Sequence, residues 1–183
     1  MPNLVHLHVH TQYSILDGLS DIKKLVSRAK ELEMPAVAIT DHGNMFGVVD
    51  FYNAAKKEKI KPIIGCEAYV VEGSRFEKGS ANSERTRGFH CVLLAKNKIG
   101  YINLCKLISL GFKEGFYYNS RVDRELLERY SEGLICSSAC LAGEIPYYIW
   151  NDNMEKAEAA LQWYKKVFKD DFYLELMSHG LEK

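Results

Sequence analysis

Val5-His6-Leu7-His8-Val9-His10-Thr11, running on to Leu16-Asp17-Gly18, is the most informative stretch of the chain. Its histidines alternate with aliphatic residues, and successive side chains of a β-strand point to opposite faces. The alternation predicts a strand with His6, His8 and His10 on one face. An inner strand of this kind would carry imidazoles to a metal ion. Because H-x-H is a short pattern, an edge strand with solvated histidines is the alternative.

Composition bounds the class of protein. The chain has 183 residues, enough for one domain or slightly less than one, with 47% hydrophobic and 26% charged residues. Lys plus Arg and Asp plus Glu both number 24, so the formal net charge is zero. This balance argues against nucleic-acid binding by bulk electrostatics, although it leaves room for a local basic patch.

The cysteines and the apolar runs indicate a cellular setting. Five cysteines without regular spacing do not predict a disulfide framework. The first residues lack the pattern of a signal peptide, and no apolar run reaches membrane-spanning length. We therefore expect a cytoplasmic protein that has no membrane partner.

Apolar periodicity predicts an alternation of strands and helices. Such alternation is typical of βαβ units, and it predicts an α/β fold with a parallel sheet or barrel. The predicted helices cover residues 21–33, 46–57, 99–110 and 123–130, with a further helix that a capping-box pattern opens at Asp152 and Glu155. The predicted strands cover residues 5–10, 36–40, 63–71, 89–95, 133–138 and 172–177.

Residues of metal-ligand type follow the predicted strands. In α/β barrels the strand carboxyl ends and the loops after them form the active site, so such residues converge on one mouth. From the first strand to the fifth, they are His8, His10 and Asp17, then Asp41 and His42, then Glu67, His90 and Cys140.

Each of these residues also has a structural interpretation. His42 could neighbour a helix N-terminus that Asp41 caps. His90 could be a core histidine with one hydrogen bond, and Cys140 an inert buried thiol. Glu67 is harder to explain in this way, because a carboxylate inside an apolar strand needs a cation or a metal.

Other polar residues have less specific interpretations. We expect His6 to pack or to orient a neighbour, and His179 to be a solvated loop residue. Arg75, Arg85 and Arg87 are candidate phosphate clamps, but interleaved glutamates favour a solvated loop of mixed charge.

The order of the motifs resembles the polymerase and histidinol phosphatase (PHP) family. Within it, the chain is similar to the PHP domains that open the alpha subunits of bacterial DNA polymerase III. The motifs lie in residues 8–18 (HVHTQYSILDG), 38–44 (AITDHGN), 61–69 (KPIIGCEAY), 89–90 (FH) and 132–141 (EGLICSSACL).

The resemblance implies a fold and a metal site. The fold would be a distorted seven-stranded β/α barrel whose mouth holds up to three divalent ions, with zinc, manganese or iron favoured over magnesium. Glu67 would bridge ions, and Glu67, His42 and Asp17 would be the catalytic residues. The implied metal ligands are His8, His10, Asp17, His42, Glu67, His90 and Cys140.

The resemblance also implies an activity and partners. The activity would be phosphoester hydrolysis, with a DNA 3′ end or pyrophosphate as substrate. The partners would be the rest of a polymerase alpha subunit and a proofreading subunit. Two alternatives are a metal-stabilised interaction module and a free-standing phosphatase.

Two departures from the family pattern set further expectations. An Asp-x-His ligand pair would lie beyond Lys183, and six predicted strands leave the barrel one strand short. The carboxylates of a polymerase palm are also absent. We therefore expect residues 1–183 to be a PHP domain shortened at its C-terminal end, which cannot polymerise DNA.

Overall fold

The computed structural model describes residues 4–79 and 84–177, apart from the side chains of Glu84 and Arg85. The predicted roles of His179 and of the Arg85 side chain lie outside the described residues. Within this part of the chain, no helix is both long and apolar enough to cross a membrane.

Most of the helices match the apolar periodicity of the sequence. Asp21 caps the first helix by accepting a hydrogen bond from the backbone N–H of Lys24. The helices are α1 (Ile22–Glu31), α2 (Val48–Lys57), α3 (Glu84–Arg87), α4 (Lys98–Lys113), α5 (Arg124–Tyr130), α6 (Glu144–Trp150) and α7 (Met154–Phe168).

Within the described residues, six strands form a sheet around β2. One end of β2 pairs in parallel with β1, and its last residues pair in parallel with β4. Along the remaining path, β2 pairs with β3, β3 with β5 and β5 with β6. The strands are β1 (Ala36–Ile39), β2 (Lys61–Val71), β3 (Phe89–Ala95), β4 (Arg121–Asp123), β5 (Leu134–Ser137) and β6 (Phe172–Tyr173). The α/β class is therefore confirmed.

The expectation of a parallel sheet or barrel is wrong for β3. This strand runs antiparallel to both β2 and β5. A parallel connection needs a crossover, usually a long helix, whereas the only helix described between β2 and β3 is the single turn α3. The reversal places the first residues of β3 at the same end of the sheet as the carboxyl ends of its neighbours.

The predicted first strand is not a regular strand. Two backbone hydrogen bonds still join this stretch to the β1 region, from Ala38 N to His6 O and from Thr40 N to Val9 O. His6 and Val9 are three residues apart, whereas their partners Ala38 and Thr40 are two residues apart, so the first segment has one extra residue, as in a β-bulge. Leu7 is 48% exposed and His6 is also exposed, so the predicted alternation of packed and ligand faces is wrong there.

Apolar clusters pack on both faces of the sheet. One face of β2 and β3 packs against α4, α5 and α7 through an apolar cluster that includes Ala68, Leu93 and Leu104. The opposite face carries a smaller cluster built around Ala38, Val92, Leu94 and Ala139. Polar residues lie next to that smaller cluster, at the end of the sheet where β1, β2 and β5 finish and β3 begins. This end is called the mouth of the fold.

Candidate metal centre

Glu67 lies at the middle of the mouth, on the inner face of β2. Its side chain is 1% exposed. The pairing of Glu67 with Val92 and of Tyr69 with His90 places these four residues on one face. The backbone of Glu67 also exchanges hydrogen bonds with the loop after β1, from Glu67 N to Asp41 O (3.1 Å) and from Gly43 N to Glu67 O (2.8 Å).

The two carboxylate oxygens of Glu67 face different histidines. Oε2 lies 2.7 Å from Nε2 of His8 and 3.8 Å from Nε2 of His10. Oε1 lies 2.5 Å from Nδ1 of His42 and 3.0 Å from Nδ1 of His90. One carboxylate is therefore shared by two pairs of imidazoles.

The donor atoms of these residues fit metal ions. Two groups of three within the described chain have ligand atoms that lie within 4.8 Å of one another, and Glu67 belongs to both groups. Buried Nδ1 of His10, Nδ1 of His42 and Oε1 of Glu67 have no aligned hydrogen-bond partner among the described residues. Unpaired buried polar atoms are costly, and a cation between them would satisfy their lone pairs.

The electrostatics of the cluster balance one buried carboxylate against several imidazoles. Burial opposes ionisation of Glu67, yet contacts with three histidines hold its pKa well below its usual range. Burial lowers the pKa of His8, but contacts with Glu175 and Glu67 outweigh it and raise the pKa to about 9. The pKa of His90 rises to about 10, because contacts with Cys140 and Glu67 outweigh its burial.

Asp17 and Cys140 lie at the rim of the cluster and belong to neither group of three. Oδ2 of Asp17, whose side chain is 61% exposed, lies 3.0 Å from Nε2 of His42. The Sγ atom of Cys140 lies 3.5 Å from Nδ1 of His90. Burial raises the pKa of the Cys140 thiol, but contact with His90 and a backbone hydrogen bond lower it below its ordinary value.

Asp41 organises the turn that precedes the cluster. Its Oδ1 accepts hydrogen bonds from Thr11 N (2.6 Å) and Ser14 Oγ (2.7 Å), and its Oδ2 accepts one from Thr11 Oγ1 (2.8 Å). The alternative role of Asp41 as a helix cap is wrong, because α2 begins after Gly47. Asp41 instead fixes the turn after His10 against the loop that carries His42.

Gly43 allows the loop after β1 to turn beside Glu67. Its φ angle is +60°, in the left-handed region that favours glycine. A Cβ atom here would lie 2.6 Å from Oγ of Ser120 and 2.9 Å from a ring carbon of Tyr69. The glycine of the Thr-Asp-His-Gly motif therefore has a steric role.

Arg75 matches neither of its two predicted roles. It is 7% exposed, and its guanidinium binds Asp123 (2.9 Å), Glu114 (2.7 Å) and Glu125 (3.2 Å). Arg121 is also buried, and backbone carbonyls, including those of Arg75 and Gly115, satisfy its guanidinium. Both arginines tie the chain after β2 to β4, so Arg75 is unavailable as a phosphate clamp.

A cleft of about 430 Å³ opens beside the cluster. His42, His90 and Asp17 are among its lining residues, and none of the described residues that line it is Lys or Arg. Aromatic rings also line the cleft. These rings belong to Phe46, Phe112, Phe116 and Tyr118.

Sequence reasoning missed two polar residues behind the cluster. Oε1 of Glu175 lies 2.8 Å from Nδ1 of His8. The Ser137 hydroxyl donates a hydrogen bond to Oε2 of Glu175. Glu175 could have been found from the sequence, because it is a carboxylate within the apolar run of the predicted strand 172–177. The same feature drew attention to Glu67.

Comparisons with known proteins agree with the motifs. The PHP domain model matches residues 6–179. The DNA polymerase III subunit alpha of Borreliella burgdorferi is 51% identical over 178 residues, which make up 97% of this chain and 15% of that protein. The subunit of the same name from Campylobacter jejuni is 47% identical over 191 residues, covering 99% of this chain and 16% of that protein.

Solved structures show a weaker likeness. An amidohydrolase from Chromobacterium violaceum aligns at 21% identity with a TM-score of 0.41, covering 57% of this chain and 32% of that chain. The present chain spans 15–16% of the length of the two polymerase subunits above. Since the family model covers almost all of its residues, the chain belongs to the PHP domain family.

Proposed function

We propose that this chain binds two divalent metal ions, one on each side of Glu67, and hydrolyses phosphoesters. One ion would be held by His8, His10 and Glu67, and the other by His42, His90 and Glu67. The division of the two Glu67 oxygens between two histidine pairs is the observation that carries the proposal.

The rim residues extend this ligand set. Asp17 and Cys140 would add a carboxylate and a thiolate beside the second ion, as each contacts one of its histidines. Imidazole and thiolate donors favour zinc, iron or manganese over magnesium, which prefers oxygen ligands and retained water.

The proposed chemistry needs no side-chain nucleophile. Divalent ions bound here would lower the pKa of a bound water and neutralise phosphoryl oxygens during in-line attack. Glu67 would hold the ions from a fixed backbone position, since its N–H donates to Asp41 O and its carbonyl accepts from Gly43 N, on either side of His42. His42 would be held in place between Glu67 and Asp17.

The cleft favours an unpaired DNA 3′ end over pyrophosphate as substrate. Pyrophosphate is small and would be bound through the ions, whereas the cleft extends from the cluster to exposed aromatic rings that pyrophosphate would leave uncovered. The aromatic rings of Phe46, Phe112 and Phe116 instead suit stacking of unpaired bases.

The wider setting is proposed from the relatives. Because those proteins are DNA polymerase III alpha subunits, we place this chain in the cytoplasm as one domain of such a subunit, acting in DNA replication. The remainder of the subunit and a separate proofreading subunit are its proposed partners.

A second candidate function is that of an interaction module. Ile15, Leu16 and Leu19 are 85%, 100% and 96% exposed next to Asp17. Exposed apolar side chains that cluster at one site are typical of docking surfaces. In this case the ions would stabilise the turn that presents these residues.

One experiment separates the two functions. The chain is purified without chelator or histidine tag, its metal content is measured, and cleavage of a single-stranded oligonucleotide is followed through repeated purification. His42→Ala should abolish cleavage, while His6→Ala, which alters an exposed histidine outside both groups, should retain it.

The outcomes differ clearly. Two bound ions without hydrolysis would favour the interaction module. Equal cleavage by both variants would reject the proposed site. Faster cleavage of a small phosphate monoester than of the oligonucleotide would favour a free-standing phosphatase.

A further inference from the structure

Glu175 and Glu67 contact opposite edges of the same imidazole. Nε2 of His8 lies 2.7 Å from Oε2 of Glu67, whereas Nδ1 of His8 lies 2.8 Å from Oε1 of Glu175. Only one ring nitrogen of a neutral histidine carries a proton, so the partner of one nitrogen decides what the other can do.

The Glu175 carboxylate is itself held in place. Its second oxygen, Oε2, accepts a hydrogen bond from Ser137 Oγ at 2.5 Å. Its backbone N–H donates to Ser138 Oγ at 2.9 Å. These contacts tie Glu175, which follows β6, to the end of β5.

We propose that Glu175 is a positioning residue for the metal site: it accepts the Nδ1 proton of His8 and so leaves the Nε2 lone pair of His8 free to bind the ion that His8 would share with Glu67. The inference rests on the proposed metal site. Carboxylates commonly bind the outer nitrogen of a metal-ligating histidine, where they fix its tautomer and increase its basicity.

The position of Glu175 separates it from the ligands. The His8 ring stands between Glu175 and Glu67, and Glu175 belongs to neither group of three described above. It therefore acts through His8 rather than on an ion.

The same contact links distant parts of the sheet. His8 belongs to the segment beside β1, whereas Glu175 follows β6, the strand at the other end of the strand path. The two residues are 167 positions apart in the sequence. A correctly placed His8 thus requires that the sheet curve until its two ends meet.

The test measures zinc affinity by competition with a chelator. In Glu175→Ala, the affinity for one of the two zinc equivalents should fall by about 10- to 100-fold, the usual effect of losing such a partner. Glu175→Gln should lose less, because its amide oxygen can still accept the Nδ1 proton. Asp171→Asn, which removes a surface ion pair with Lys96, is the matched control on the same segment.

A spectroscopic measurement distinguishes positioning from general stabilisation. In the zinc-loaded chain, nitrogen NMR of His8 should show a protonated Nδ1 with a hydrogen-bonded proton. That proton signal should be lost in Glu175→Ala and kept in Asp171→Asn.

The failures of the two proposals are distinguishable. Zinc affinity in Glu175→Ala equal to that of Asp171→Asn would overturn only the role of Glu175. A His8 protonated at Nε2 in the zinc-loaded chain would overturn that role and also the place of His8 among the ligands. No zinc binding by the unaltered chain would overturn the metal site, and this inference with it.

Discussion

His42 and Glu67 are joined twice, through their backbones and through their side chains. The two residues form a parallel β-bridge, and Nδ1 of His42 lies 2.5 Å from Oε1 of Glu67. The backbone bridge sets the distance between the loop after β1 and strand β2 before any ion binds. A pair of proposed ligands fixed in this way would lose little conformational freedom on binding a metal ion.

The first prediction concerns the shared carboxylate. Glu67→Gln should reduce bound metal from two equivalents toward none, because both groups of three lose their only carboxylate. Elemental mass spectrometry of protein purified without chelator measures this. Glu58→Gln, at an ion pair with Lys30 on the surface, is the control. Retention of two ions by Glu67→Gln would show that Glu67 does not bridge them.

The second prediction concerns the turn after His10. Asp41→Ala would leave the buried donors of Thr11 and Ser14 without their acceptor. We expect a loss of about 2–4 kcal/mol in the free energy of unfolding, since each unsatisfied buried group costs on the order of 1–3 kcal/mol. Chemical denaturation measures the loss. Asp50→Asn, at an exposed position, should change stability little. Equal stability of the two variants would contradict the role of Asp41.

The third prediction concerns the buried arginine. Arg75→Ala would leave Asp123, which is 4% exposed, without its guanidinium partner. Breaking such a buried pair typically costs about 3–5 kcal/mol, and we expect a loss of this size in the free energy of unfolding. Metal content should stay unchanged, because Arg75 belongs to neither group of ligands.

Arg87→Ala is the matched comparison. This arginine lies over the ring of Tyr118, 5.9 Å from its centroid, and its removal should have little effect on stability. If Arg75→Ala cost no more than Arg87→Ala, the solvated loop expected from the sequence would be the better description.

The fourth prediction concerns pH. Burial raises the pKa of Glu144 above its ordinary value of 4.5, and Arg124, 2.7 Å away, only partly offsets this effect. A carboxyl with a raised folded-state pKa contributes stability below its ordinary pKa and loses it as the pH rises through the folded value. The free energy of unfolding of Glu144→Gln, relative to that of the unaltered chain, should therefore increase as the pH rises.

Chemical denaturation at about pH 4 and at about pH 8 measures this gain. Glu155→Gln, an exposed position at the start of α7, supplies the baseline. A stability difference between Glu144→Gln and the unaltered chain that does not change with pH would show that burial does not disfavour the Glu144 charge.

Local patterns in the sequence predicted most helices and strands. The stripe in residues 21–33 became α1, with Asp21 as its cap. The capping box at Asp152 is wrong by one residue: Asn153 caps α7, and Asp152 adopts φ +53° instead. The predictions missed α6, whose only proline falls in its first turn, where the missing N–H costs nothing.

Strand β4 was missed for a different reason. It has three residues, and two of them, Arg121 and Asp123, are charged. Their burial depends on partners from Gly115, which is close in sequence, and from Arg75 and Glu77, which are distant in sequence. A local pattern cannot show such compensation.

By itself, the sequence determined which donor types this protein has and roughly where they fall along the chain. The histidines at His8 and His10, and the carboxylate of Glu67 inside an apolar strand, are visible in the local sequence, although the alternation predicted around the histidines fails where the chain bulges against β1. Only the tertiary structure decided how these donors meet. The reversed direction of β3 brings His90 to the mouth, and the curvature of the sheet brings Glu175 to His8. Both depend on contacts between residues far apart in sequence, which no local periodicity encodes.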